Sequence, residues 1–142
     1  MKQHRTFHSK SPEETFAVGR QLAQIIPVPS IVAFFGDLGA GKTTMIKSFT
    51  GHRTDLSPES ISSPTFQILH IYEGKEAALY HFDLWRIDNA EEFIALGFDE
   101  YLDQKHDVCI EWSERIEEIL PPSAYRIHIH ALSEYERLIE VR

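Results

Sequence analysis

The chain has 142 residues, with 22 acidic side chains against 14 basic ones, a formal net charge of −8 and one cysteine. So acidic a surface repels nucleic acid, which argues against affinity-setting contact with RNA or DNA by this chain alone. The length is that of one domain, 1–142, with room for a single core and little for a second substrate domain.

No run approaches the roughly 18 apolar residues that a membrane span needs. Met1-Lys2-Gln3-His4-Arg5 leads into polar sequence and not into an apolar signal segment. A cytoplasmic protein without membrane contact is expected. Cys109 lies inside Val108-Cys109-Ile110 with no second cysteine to pair with, so it reads as a small packed hydrophobe in a reducing compartment.

Ser11-Pro12-Glu13-Glu14 has the form of a helix start, with Ser11 as N-cap, Pro12 in the first position and Glu14 closing a capping box. Phe16, Val18, Leu22, Ala23 and Ile26 then recur at helical spacing until Pro27 and Pro29 end the helix. Ile31 to Phe35 is apolar throughout, as a central parallel strand covered on both faces must be. It delivers Gly36-Asp37-Leu38-Gly39-Ala40-Gly41-Lys42-Thr43, a complete G-x-x-x-x-G-K-[ST] phosphate loop that opens a helix. The glycines let successive backbone N–H groups curl around a β-phosphate where a Cβ would obstruct. Lys42 reaches the β/γ oxygens, and the Thr43 hydroxyl is placed to bind the Mg²⁺ bridging them. A bound nucleoside triphosphate is therefore expected.

The helix after Lys42 is predicted to run to about Gly51, and His52 to Ser63 reads as a loop and candidate switch. Thr65 to Tyr72 and Ala77 to Asp83 form an antiparallel hairpin through Glu73-Gly74-Lys75-Glu76, which makes the sheet mixed. Asn89-Ala90-Glu91-Glu92 caps a helix ending near Gly97, and Asp107 to Trp112 is another buried strand. Helical residues from Ser113 stop at Pro121-Pro122, and Tyr125 to His130 with Arg137 to Val141 make a closing hairpin. The fold class that follows is α/β: a single phosphate-loop NTPase domain with a mixed, mainly parallel central sheet, flanking helices and C-terminal antiparallel strands. His128 and His130 alternate on one strand face without a carboxylate or cysteine at ligand spacing, so no metal site is expected there.

A phosphate loop needs a carboxylate at the end of a neighbouring strand to hold Mg²⁺ opposite Thr43, directly or through water. Glu111 ends Val108-Cys109-Ile110, and Asp83 ends Ala78-Leu79-Tyr80-His81-Phe82; ligands gather at such strand ends in a parallel sheet. Arg86 could pair with Asp83 or neutralise phosphate charge. Trp112 could pack, lie against a nucleobase or meet a partner protein.

Gly36 to Thr44, Ser63-Pro64-Thr65-Phe66, Tyr80-His81-Phe82-Asp83-Leu84-Trp85-Arg86 and Glu111-Trp112 occur together in an order that resembles the TsaE family. Its members are bacterial ATPases that support threonylcarbamoylation of adenosine 37 in transfer RNAs reading codons that begin with A. Trp85 stands where that family more often has tyrosine. The resemblance implies that Gly39, Ala40, Gly41, Lys42, Thr43 and Thr44 contact ATP, that Thr43 and Glu111 hold Mg²⁺, and that Asp83 assists hydrolysis. It implies a γ-phosphate-sensitive switch at Ser63-Pro64-Thr65, with Thr65 supplying a hydroxyl. It also brings Ser11 and Arg137 toward the nucleotide, against the plainer readings of helix cap and surface charge. The partner it implies is the heterodimer of the transferase subunit TsaD and its paralogue TsaB, with tRNA reached only through that complex.

Two other phosphate-loop classes fit less well. A GTPase would carry an N-K-x-D guanine-reading sequence, which is absent. A small-molecule kinase using Asp83 as base toward an acceptor hydroxyl would need an arginine-rich lid, for which this chain has no candidate.

Overall fold

The computed structural model describes residues 4–37, 39–64 and 66–142. In chain order it has β1 (Arg5–Ser9), α1 (Pro12–Ile25), β2 (Ile31–Phe35), α2 (Lys42–Thr54), β3 (Leu69–Glu73), β4 (Ala78–Asp83), α3 (Ala90–Ala95), β5 (Asp107–Glu111), β6 (Tyr125–Ala131) and β7 (Arg137–Val141). Short 3-10 helices span Pro58–Ser60, Phe98–Leu102 and Ser113–Ile119. The strands form one seven-stranded sheet in the order β1-β7-β6-β2-β5-β4-β3. β6, β2, β5 and β4 run parallel in its middle, while antiparallel strands close both edges.

The central position of β2 and β5 follows from their composition. Every residue of both strands is buried, a state that only strands with parallel neighbours and cover on each face reach. On one face Leu22 of α1 and Met45, Ile46 and Phe49 of α2 pack against Val32, Phe34, Cys109 and Ile127. On the other, Phe93 of α3 with Ile116 and Leu120 covers Ala33, Phe82 and Ile110. Phe82, Phe93 and Phe98 meet there with ring centroids 5.4 to 5.7 Å apart, the tilted and edge-on geometry that aromatic quadrupoles favour. Burial pushes the Cys109 thiol well above its ordinary pKa, which keeps it protonated and packed as expected.

A buried ion pair ties three elements together below the sheet. Arg53, near the end of α2, lies 3.0 Å from Asp107 at the start of β5, and both side chains are almost wholly buried. The same guanidinium donates to the carbonyls of Ala23, Ile26 and Pro27 at 2.7 to 2.9 Å, satisfying the C-terminal end of α1. Asp107 also accepts from the Ser30 N–H at 2.9 Å, which fixes the start of β2 beside β5.

Several boundaries differ from the sequence reading for local reasons. β1 was not expected; its residues are mostly exposed and follow no clear alternation, so pairing with β7 defines it. α2 continues through Gly51 to Thr54, and Gly51 serves there as a site of close approach, since a Cβ would lie 3.2 Å from the Leu56 carbonyl. β3 begins at Leu69, after a turn in which the Pro64 carbonyl accepts from both Gln67 and Ile68. Ser113–Ile119 is 3-10 in form, broken by a non-helical Ile116 at φ −130°. Ser11 caps α1 as predicted, accepting from the Glu14 N–H at 3.1 Å, while the Glu14 carboxylate reaches back to the Lys10 N–H.

Replacing Arg53 with methionine leaves Asp107 buried without its cation, and the expected loss is about 3–5 kcal/mol. Urea denaturation measures it, and the Arg53→Met/Asp107→Leu double variant should recover part of the loss. A cost below about 1 kcal/mol, the range of exposed pairs, would contradict the clamp.

Candidate functional site at the phosphate loop

α2 begins without a side-chain cap. Its N-cap is Gly41, held at φ 110° in the left-handed region that disfavours a side chain, and its first turn carries no acidic residue. α1 is the opposite case, with the Ser11 cap and Glu13 and Glu14 in its first turn. An uncapped helix start keeps its N–H groups and the positive end of its dipole for an anion.

Those groups open on a cavity of about 550 Å³. Gly39, Gly41, Lys42, Thr43 and Thr44 line it together with Ser63, Asp83, Trp85, Glu111 and Trp112. Lys42 is only 5% exposed, and among the described residues its ammonium makes no hydrogen bond. It lies over the Trp112 ring, whose centroid is 4.4 Å from Nζ. A buried cation left in that state is costly, and a phosphate oxygen would satisfy it.

Strand register supplies the facing acids. β4 and β5 pair in parallel with Asp83 opposite Glu111, so both carboxylates leave the same end and the same face of the sheet. The backbone also joins them, since the Leu84 N–H donates to the Glu111 carbonyl at 3.1 Å. Asp83 Oδ1 accepts from the Trp85 N–H at 3.1 Å. Glu111 Oε2 accepts from Ser63 Oγ at 2.7 Å and His81 Nε2 at 2.8 Å. Burial raises the Glu111 carboxyl, but the His81 hydrogen bond and charge, then the Ser63 hydroxyl and the Lys42 ammonium, outweigh it and hold the group below its ordinary range.

Trp112 adopts a left-handed backbone at φ 59°, which turns its ring toward Lys42 and against Trp85, with centroids 4.7 Å apart. Trp112 packs against the core cluster of Ile110 and Ile116 and also lines the cavity. Ser63 is steadied through its neighbour Ser62, whose N–H and C=O both bond to the Tyr72 hydroxyl at 3.0 Å.

The remaining predicted residues stand one step away. Ala40 is buried in the loop, and its carbonyl accepts from Arg137 Nε at 2.8 Å. Arg137 Nη2 reaches the Gly39 carbonyl at 3.3 Å, while Nη1 bonds to carbonyls of the β6–β7 connection. Its guanidinium therefore fastens the phosphate loop to the sheet edge, beside a smaller cleft shared with Pro12, Thr15 and Thr44. Ser11 spends its hydroxyl on the α1 cap. Thr65 lies outside the described residues. The sequence reading named Ser63 only as part of the switch segment and did not name His81 or Trp85 as site residues; His81 could have been found, because it stands two positions before Asp83 and so on the same strand face.

These residues fit a nucleotide with its divalent ion. Among the described residues no group of three or more His, Cys, Asp or Glu side chains could hold a metal unaided. An ion held by Thr43 and Glu111 together with phosphate oxygens and water is the arrangement Mg²⁺ prefers.

The lowered Glu111 pKa gives a pH dependence of stability. Its contribution is fully present above the ordinary glutamate range and is lost as pH falls through the lowered folded value. Denaturation of wild type and Glu111→Gln between neutral and strongly acidic pH should show the gap between them narrowing on acidification. A constant gap would contradict the ionised, bonded carboxylate.

The family model described as "Threonylcarbamoyl adenosine biosynthesis protein TsaE" matches residues 9–139. A Rickettsia conorii protein named tRNA threonylcarbamoyladenosine biosynthesis protein TsaE is 40% identical over 135 residues, spanning 92% of this chain and 74% of its own. The Bacillus subtilis protein of the same name is 36% identical over 129 residues, spanning 91% and 79%. The crystal structure of Bacillus subtilis YdiB superposes with a TM-score of 0.74 at 33% identity, covering 99% of this chain and 86% of that one. With a family model spanning nearly the whole chain, and the phosphate loop and paired acids in place, the chain belongs to the TsaE family.

Proposed function

We propose that this chain binds ATP with Mg²⁺ in the phosphate-loop cavity, hydrolyses it slowly when alone, and serves threonylcarbamoyl modification of adenosine 37 in tRNAs reading codons that begin with A. The observation that carries the reading is the buried Lys42 ammonium, without a hydrogen bond among the described residues, beneath an uncapped helix start and facing two carboxylates. The names of the related proteins supply the pathway.

Each residue then has a defined task. The backbone N–H groups from Gly39 to Thr44 and the Lys42 ammonium bind the β and γ oxygens. Thr43 and Glu111 hold Mg²⁺, which supplies charge neutralisation on the phosphates when bound. Asp83 orients the attacking water or couples the Ser63-Pro64-Thr65 switch to it. Trp112 shields the Lys42 side of the cavity from solvent. Arg137 keeps the loop in shape through the Gly39 and Ala40 carbonyls, and Ser11 sets the end of α1 beside it.

The partner in this reading is the TsaD–TsaB pair, with tRNA reached only through it. The −8 charge favours that indirect route, since this surface gives a tRNA backbone little attraction. The reading places the protein in the cytoplasm; no described helix is long and apolar enough to cross a membrane.

Lys42→Ala should weaken ATP binding by about 100-fold, the scale of one or two charge-assisted hydrogen bonds, with little change in thermal melting. Calorimetric titration and a melting curve on the same sample check this, and near-normal affinity in a folded variant would contradict it. Asp83→Ala should keep nucleotide affinity and lose phosphate release, assayed with and without the TsaD–TsaB pair. Unchanged release would remove Asp83 from the site.

A further inference from the structure

Among the side chains buried beside the cavity, His81 has no part in the roles assigned above. It is 1% exposed, on the parallel strand β4, with Nε2 2.8 Å from Glu111 Oε2. Its Nδ1 is buried and makes no hydrogen bond among the described residues, and its ring lies 6.4 Å from that of Tyr72. For packing alone, an apolar side chain would fill this position without burying an imidazole. An ionised carboxylate only accepts hydrogen bonds, so His81 holds its proton at Nε2 and donates it to Glu111.

The consequence lies in which carboxylate oxygen is occupied. Oε2 already has two donors, from His81 and Ser63, whereas Oε1 has no hydrogen bond to any described residue. Ser63 belongs to the loop following Ile61, but His81 is built into the sheet opposite Cys109, two pairing steps before the Asp83–Glu111 pair and on the same face. Its donor is thus fixed by strand register and not by the loop.

We propose that His81 is a positioning residue for Glu111: by holding Oε2 from within the sheet it fixes the carboxylate so that Oε1 is presented to the divalent cation. The proposal rests on the nucleotide–metal reading above. Groups that orient a metal-binding side chain typically contribute 10–100-fold in metal affinity, so the effect is measurable.

The test compares His81→Leu, His81→Asn and His81→Gln. The glutamine amide nitrogen reaches about where Nε2 stands, whereas that of asparagine stops near Nδ1 and falls short of Glu111. ADP affinity is measured with and without Mg²⁺, and Mn²⁺ binding to the ADP complex is followed by electron paramagnetic resonance. His81→Leu and His81→Asn should lower Mn²⁺ affinity by about 10–100-fold while metal-free ADP affinity stays near wild type. His81→Gln should restore most of the loss. Should His81→Leu fail to fold, the asparagine–glutamine contrast decides. Equal metal loss in asparagine and glutamine variants, or metal-free affinity falling in step, would reduce His81 to a core residue and overturn the proposal. No effect of Mg²⁺ or Mn²⁺ on wild type would instead overturn the metal reading on which it stands.

Discussion

The parallel register of β2, β5 and β4 is the constraint on which the site depends. Ile31 pairs with Val108, and Tyr80 pairs with Val108 from the other side, so the three strands end at one level. That level brings the loop after Phe35, the Glu111 carboxylate and the Asp83 carboxylate to one edge. A slip of one residue in β4 or β5 would turn its acid to the opposite face, where Phe82 and Ile110 now pack. The core therefore enforces the site: the apolar alternation that buries Phe82 and Ile110 is what directs their neighbours toward the phosphate loop.

Two buried cations show how the same fold treats structure and function differently. Arg53 pairs with Asp107 and donates to three carbonyls, and its charge is spent on joining α1, α2 and β5. Lys42, equally buried and at the other end of the same helix, has only an aromatic face beside it and carboxylates across the cavity. Arg53 stabilises what is already assembled, while the Lys42 ammonium makes no hydrogen bond among the described residues. Left-handed Gly41 and Trp112 add to the same pattern, since unfavourable local conformations persist where the surroundings hold them for a task.

Much of this was legible from sequence because strong local signals coincide. The phosphate loop needs glycine and lysine at fixed spacing, and the apolar runs Ile31–Phe35 and Val108-Cys109-Ile110 mark the buried strands that end beside it. The Ser11 and Asn89 caps were readable from chemistry alone and form the expected bonds. What remained hidden depends on partners distant in sequence. β1 exists through pairing with β7, whose Arg137 stands opposite Ser9 from the far end of the chain. Arg137 reads as a surface charge until the β6–β7 hairpin brings it against the Gly39 and Ala40 carbonyls. His81 looks like one more strand residue until the register sets its Nε2 beside Glu111.

The proposed function joins a cavity lined by Trp85 and Trp112 to an acidic chain that gives a tRNA backbone little attraction. The central claim is that nucleotide held at Lys42 is required for threonylcarbamoyl modification. Mass spectrometry of tRNA nucleosides after depletion of this protein, with rescue by wild type or by Lys42→Ala, tests it most directly. The account predicts that threonylcarbamoyladenosine falls on depletion, returns with wild type and stays low with Lys42→Ala. Unchanged modification over many generations of depletion, or full rescue by Lys42→Ala, would contradict it.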